Sequence, residues 1–258
     1  MANEIIEAAT AGLKYLCDQH QIDASHGIDH ALAVLTHLNA ALDESSFEIS
    51  EGRKLAMRLA ALLHDADDRK YFGKTKTVSC ANARKLMLEA GAISDVIEDA
   101  VAMIELVSCS ANGNSCPPAA EAHPELLWPR WADRLEAVGE IGIARCYAYN
   151  KHDGTTPLAI DTTPRATTAD EVLALATPER FDAYQASGGG SASMLDHYYD
   201  KLLQVARPPP ERVRNSYLER MAIAGAEPLI AICTSYGKTG EVPIKEIEDL
   251  AARHGIAC

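Results

Sequence analysis

The sequence predicts an all-α protein, and three observations predict it. Apolar residues recur at the three- and four-residue spacing of a helix face through most of the chain. No segment sustains the two-residue alternation of a strand. Hydrophobic residues make up 47% of the chain but aromatics only 5%, so the core must be built from Ala, Leu, Ile and Val, which suit closely packed helices. With 258 residues the chain is long enough to bury such a core well.

The elements follow in order. Residues 3–20 read as a first helix. "SHGIDHALAVLTHLNAAL", 25–42, reads as a second, with Ser25 at the N-cap. Leu55, Leu59, Leu62 and Ala66 mark one face of a third. "VSCANARKLMLEAGA" is a helix stopped by Gly91. Ile93, Val96, Ile97, Ala100, Val101, Ile104 and Val107 form the cleanest apolar stripe. "CSANGNSCPPAAEAHP" reads as a loop, and a long helix is expected from about Leu126 to Tyr149. Residues 151–190 are polar and rich in Pro, Thr and Gly, an irregular excursion that serves either as a lid or as a tolerated insertion. Helical pattern resumes with "SMLDHYYDKLLQVA" and "ERVRNSYLERMAIAG", and Ile244, Ile247, Ala251 and His254 suggest a last short helix. The expected organisation is one domain over 1–258: a core of about 20–150, the excursion, and helices over 191–258 packed back onto the core.

Charge and cysteines exclude several classes. The net charge is −13 and there is no Lys/Arg-rich run, which argues against a polymeric nucleic acid, whose binders need a basic face. A small anion remains compatible if a cation and a few basic side chains reverse the field locally. The cysteines at 17, 80, 109, 116, 146, 233 and 258 are odd in number and contain no Cys-x-x-Cys. With no signal peptide in "MANEIIEAAT" and no long apolar span, the expectation is a reduced, cytoplasmic protein without a membrane anchor. Cys109 and Cys116 read as free thiols around a polar loop. Assembly into homo-oligomers is left open.

The chemistry starts at "LLHDADDRKYF", 62–72, where His64 and Asp65 stand at the end of an apolar run. Partners for a metal site must come from other helices. His26, His30 and His37 share one face of the second helix at spacings of four and seven. "WPRWADRLEAVG" sets Asp133 in an otherwise apolar helical run, where a carboxylate is costly unless paired or bound to a metal.

The order His30, His64-Asp65, Asp133 on successive helices resembles the signature of the HD-domain superfamily of metal-dependent phosphohydrolases, over about residues 20–150. "SHGIDHALAVL", "ALLHDADDRKY", "ADRLEAVGEIGIAR" and "SMLDHYYDKLL" resemble a branch of uncharacterised HD hydrolases within it. The resemblance implies an HD-domain helical bundle with additional C-terminal helices. It implies His30, His64, Asp65 and Asp133 as ligands of one divalent cation per chain, a nitrogen and oxygen set that suits Mn, Mg, Fe, Co, Ni or Zn. The implied reaction is hydrolysis of a small phosphate ester or nucleotide by a metal-activated water, with Asp65 in the centre.

Asp68 falls where the alarmone hydrolases and related HD nucleotidases carry an acidic residue, usually Glu, that orients or deprotonates the attacking water. Asp67 reads as an exposed charge. For phosphate contact the resemblance and the local charge point to His26, Arg69, Lys70, Lys74, Arg134, Arg145, His197 and Lys201. Arg145 reads equally as a partner of an acidic helix neighbour, and His37 as structural.

Dinuclear members of the superfamily add histidines between the HD pair and the last Asp. Only His123 lies in that interval here, which favours one cation and counts against an HD-type iron oxygenase acting on a polyol or phosphonate. A metal-stabilised nucleotide-binding protein without turnover is the other alternative. Three motifs are decoys. His152-Asp153 sits at a helix end before Gly154, and the two "GKT" runs lack the Gly that a phosphate loop needs five places earlier, where Asp68 and Ile232 stand.

Overall fold

The computed structural model describes residues 2–22, 26–73 and 79–256, the Asp153 side chain excepted. Ser25 and Lys74 lie outside the described residues. The helices are α1 (Ala2–His20), α2 (Ile28–Asp43), α3 (Glu51–Leu63), α4 (Arg69–Phe72), α5 (Ala81–Glu89), α6 (Ser94–Val107), α7 (Cys109–Asn112), α8 (Pro118–Ala122), α9 (Trp128–Leu135) and α10 (Gly139–Asp153). After them come α11 (Ala169–Leu175), α12 (Pro178–Ala186), α13 (Met194–His197), α14 (Leu203–Val205), α15 (Pro210–Val213), α16 (Ser216–Thr239) and α17 (Ile244–Arg253). No strand occurs among the described residues, as the apolar periodicity predicts. The chain divides into two compact units, Met1–Asp133 with Pro210–Leu218, and Arg134–Pro209 with Glu219–Cys258.

In the first unit α3 is the hub. It packs against α1, α2 and α6 and buries Leu55, Ala56, Met57, Leu59, Ala60, Ala61, Leu62 and Leu63. A helix apolar on nearly all sides must be surrounded, and the three alanines let the neighbours come close. Ser50 caps its start, accepting from Arg53 N, and Arg53 pairs with Asp99 of α6 at 3.0 Å. α2 begins at Ile28 behind an extended Gly27, so its cap is two residues later than expected. The stripe on α6 is buried as predicted from Val96 to Val107. Ile93, at the N-cap, is exposed instead.

The expected loop after α6 contains two short helices. Ser108 caps α7 through Ala111 N, and Pro118 occupies the first turn of α8, where a missing N–H costs nothing. Arg130, fully buried, donates to Leu106 O and Ser115 O at 2.6 Å each, satisfying a carbonyl that the end of α6 leaves open. Residues 210–218 are fastened into this unit by Trp128 Nε1 to Val213 O at 2.9 Å, Asn215 Nδ2 to Ala41 O at 2.8 Å, and a 2.8 Å hydrogen bond between His37 and Tyr217. Arg214, at φ +49°, makes the turn between α15 and α16, so the expected helix over 211–225 is two helices, the second running on through Pro228 to Thr239.

In the second unit α10 packs on α17. The expected helix from Leu126 to Tyr149 is broken at 136–138, where Val138 is extended and Gly139 takes φ +70°. The chain restarts at Gly139 with a positive φ, which glycine takes without a Cβ penalty. The break also needs Gly142, because a Cβ there would fall on the Ala137 carbonyl.

The stretch expected to be irregular, 151–190, carries α11 and α12, capped by Thr168 and Thr177. Asp196 ties the neighbouring chain together, accepting from Thr163 and Ser193 hydroxyls at 2.8 and 2.6 Å and pairing with Arg180 at 3.2 Å. Between α13 and α14, residues Tyr198–Leu202 form a π-helical turn, a wide turn that occurs mostly as a local bulge at functional sites. His152 is exposed at the end of α10, before a left-handed Gly154.

Candidate metal centre

Three elements of the first unit bring the four expected ligands together. His30 sits in the first turn of α2 and is buried. His64 is the C-cap of α3, and Asp65 opens the turn that follows, closed by Ala66 N to Leu63 O at 3.1 Å and Asp68 N to Asp65 O at 3.0 Å. Asp133 stands on α9. His30 Nε2 lies 3.2 Å from His64 Nε2, 3.7 Å from Asp65 Oδ2 and 3.3 Å from Asp133 Oδ1. His64 Nε2 lies 3.3 Å from Asp65 Oδ2 and 3.4 Å from Asp133 Oδ1.

These separations meet the test for a cation. Ligand atoms held about 2.1 Å from one ion stand roughly 3.0 Å apart at octahedral angles and 3.4 Å apart at tetrahedral ones. The tautomer agrees, since His64 Nδ1–H donates to Ala61 O at 2.9 Å and leaves the Nε2 lone pair facing the cluster. The His30 and His64 side chains are only 6% and 2% exposed, while Asp65 and Asp133 are about a quarter exposed, so the cluster is open on its carboxylate side.

Its electrostatics are those of a set waiting for positive charge. Burial works against a charge on His64, but Asp65 and Asp133 outweigh it and hold the imidazole well above its ordinary value. Burial pushes the Asp133 carboxyl up, yet hydrogen bonds and attraction from His30 and His64 pull it far below the carboxylate range. The proton that His64 holds supplies part of that charge.

Asp67 is a correction. It is not a solvated charge: its two oxygens accept from Asn82 N and Ala83 N at 3.0 Å each, and Asn82 Nδ2 donates back to Ala66 O at 2.8 Å. This reciprocal clasp caps the start of α5 and pins the turn that carries His64 and Asp65. Cys80, just before it, takes φ +53°. The sequence signal was Asp67 with Asn82, two cap-forming residue types, but they stand 15 positions apart.

Asp68 is half-buried. Its Oδ1 caps α4 through Lys70 N at 2.8 Å, and its Oδ2 stands 3.8 Å from His26 Nε2. Arg69 and Lys70 are exposed on α4, with the Lys70 ammonium over the Tyr71 ring. His123 is exposed and faces Glu125 at 3.4 Å. Cys109 and Cys116 are half-buried, with no disulfide between them.

The other expected phosphate contacts belong to the second unit. Arg134 is buried. Arg145 holds Glu136 through its carboxylate at 3.5 Å and its carbonyl at 3.1 Å. His197 and Lys201 lie one turn apart across the π-helical turn, both against Tyr184. Burial and the neighbouring Lys201 push the His197 imidazole down to about 3. Among the described residues no helix is long and apolar enough to cross a membrane.

No family model matches the chain. Three solved structures share its fold: the Lin1889 protein of Listeria innocua (19% identity, TM-score 0.56, covering 92% of this chain and 95% of that one), an HD-superfamily hydrolase of Bacillus thuringiensis (18%, 0.57, 92% and 98%) and a protein of Lactobacillus plantarum (20%, 0.60, 92% and 96%). Similarity in sequence is higher to the uncharacterised protein L803 of Acanthamoeba polyphaga mimivirus, 41% identical over 210 residues that cover 76% of this chain and 81% of that protein. The chain therefore belongs to the family of the mimivirus protein L803, and its fold is the all-α HD-domain fold.

Proposed function

We propose that the protein is a metal-dependent phosphohydrolase acting on a small phosphate ester or nucleotide. The observation that carries this reading is the convergence of His30, His64, Asp65 and Asp133 within 3.2–3.7 Å contacts at the rim of the core. A divalent cation in that set supplies a Lewis acid for a phosphoryl oxygen and lowers the pKa of a coordinated water. The fold of the Bacillus thuringiensis HD-superfamily hydrolase supports a hydrolytic reaction.

The chain's own residues divide the remaining work. Two neutral imidazoles and two carboxylates hold the cation; the carboxylates cancel its formal charge, so the field that admits an anionic group comes from neighbouring basic side chains. Asp68 orients the attacking water through Oδ2, because Oδ1 is engaged by Lys70 N. Arg69, Lys70 and Lys74, from the stretch beside the ligands, offset the phosphate charge. The net charge of −13 disfavours a long nucleic acid.

A screen of nucleotides and sugar phosphates with Mn, Mg, Co, Ni, Fe and Zn tests this. The expected result is cation-dependent release of phosphate or pyrophosphate, lost in Asp65→Asn. No release from any substrate by folded, metal-loaded protein would overturn the reading, and oxygen uptake during turnover would replace it with an oxygenase.

A further inference from the structure

The second unit holds a cleft of about 670 Å³ between residues 158–165 and 236–244, a size that admits a small organic ligand. Arg165 is set on its wall from two sides. Its Nε donates to Gly237 O at 3.2 Å, and its guanidinium lies over the Tyr236 ring, 5.3 Å from the centroid. Tyr236 is only 6% exposed, so the ring under the guanidinium belongs to the core. Two glycines make room for this arrangement. A Cβ at Gly237 would overlap the Ala166 carbonyl, and one at Gly240 would stand 2.9 Å from both Nη atoms of Arg165. The guanidinium makes no ion pair among the described residues, although the chain carries a net charge of −13. α17 begins on the same wall at Ile244 without a side-chain cap, and the positive end of a helix adds to the attraction for an anion.

Asp161 and Glu241 line the same cleft, both exposed and neither in an ion pair. A plain anion drawn to Arg165 would meet these two carboxylates without compensation. A ligand that carries an ammonium beside its carboxylate satisfies both signs. Leu158, Ile160, Val242 and Ile244 supply apolar surface between the charges, and Ile244 is 41% exposed.

We infer that this cleft binds a small zwitterion, an α-amino acid with an apolar side chain. Its carboxylate takes the two Nη groups of Arg165 in the bidentate geometry that a guanidinium favours. Its ammonium lies toward Asp161 and Glu241, and its side chain covers the apolar wall at Val242 and Ile244. All of these residues lie in the second unit, whereas His30, His64, Asp65 and Asp133 lie in the first. Binding here needs no cation, so it stands or falls apart from the phosphohydrolase reading.

The test is calorimetric titration of the full-length, metal-free protein with L-leucine at about pH 7, where all three side chains are charged. 4-Methylpentanoate, which lacks the ammonium, L-leucinamide, which lacks the carboxylate, and inorganic phosphate are titrated beside it. Leucine should bind saturably at one site per chain, and each of the other three about tenfold or more weaker, the loss expected when a charge-assisted hydrogen bond is not made. Arg165→Gln should weaken leucine by a similar factor, with an unchanged melting temperature showing that the variant is folded. Asp161→Asn combined with Glu241→Gln should weaken leucine but leave 4-methylpentanoate no weaker. No saturable binding of leucine overturns the site, as does leucine binding that folded Arg165→Gln retains in full. Phosphate or 4-methylpentanoate binding as tightly as leucine overturns the zwitterion.

Discussion

His30 and His64 bring their Nε2 atoms to 3.2 Å from each other, with both side chains almost fully buried. Two imidazole lone pairs at that distance repel unless a proton or a cation lies between them, so the pair couples metal binding to pH.

His64 is raised in the metal-free protein, burial being outweighed by Asp65 and Asp133. A histidine raised by folding stabilises below its unfolded value of about 6.5, and that stabilisation is lost as pH climbs through the folded value. Metal-free protein should therefore lose thermal stability as pH rises above neutrality. A cation must displace the proton, so Mn²⁺ affinity should rise over the same window with protons released. Calorimetry in two buffers of different ionisation enthalpy measures the release, and none at pH 7 would contradict the assignment.

Asp133→Asn removes a proposed ligand that both imidazoles approach within 3.4 Å. Mn²⁺ affinity should fall by about a hundredfold or more, beyond the usual loss for an outer partner. The melting temperature of the Asn variant should then no longer respond to added Mn²⁺, whereas wild type gains stability by mass action. A variant that keeps the wild-type response would show that Asp133 is not a ligand.

Asp67→Ala opens the clasp on Asn82 and Ala83. Loss of such a cap costs about 1–2 kcal/mol, which is a drop of several degrees in melting temperature for a chain this long. Because the clasp pins the ligand-bearing turn, Mn²⁺ affinity should also fall roughly tenfold, the lower end for an outer positioning group. An unchanged affinity in a destabilised variant would leave Asp67 a structural cap alone.

His197 is pushed down to about 3 by burial and by Lys201. Its proton is therefore bound by the unfolded chain before the folded one, and stability of the second unit should fall as pH drops from about 6.5 toward 3. Its imidazole proton resonance should stay unshifted from pH 8 to pH 4. A midpoint near 6 would show that the ring is solvated.

Gly142→Ala places a methyl on the Ala137 carbonyl. A clash with backbone cannot be relieved by a rotamer change, so unfolding in urea should show a loss of about 1–3 kcal/mol.

Much of this was readable in the chain because helix periodicity is local. The apolar faces of α3 and α6, the stop at Gly91 and the last helix follow from spacing alone, and the resemblance picked out His30, His64, Asp65 and Asp133 before their meeting was visible. The misses have a common cause. The break at 136–138 lies in a run whose apolar spacing continues straight through it, and only Gly139 and Gly142 betray it. The caps at Thr168 and Thr177 lay in a stretch whose composition looked loop-like.

The sequence by itself determined the helical class, since that depends on neighbours within a few positions, and the resemblance supplied the candidate ligands. Tertiary structure alone decided that His30 and His64 face each other, that Asp67 is a clasp and not a solvated charge, and that His26 comes to Asp68. Those contacts join residues far apart in the chain, and only the packing of α2, α3, α5 and α9 sets their distances.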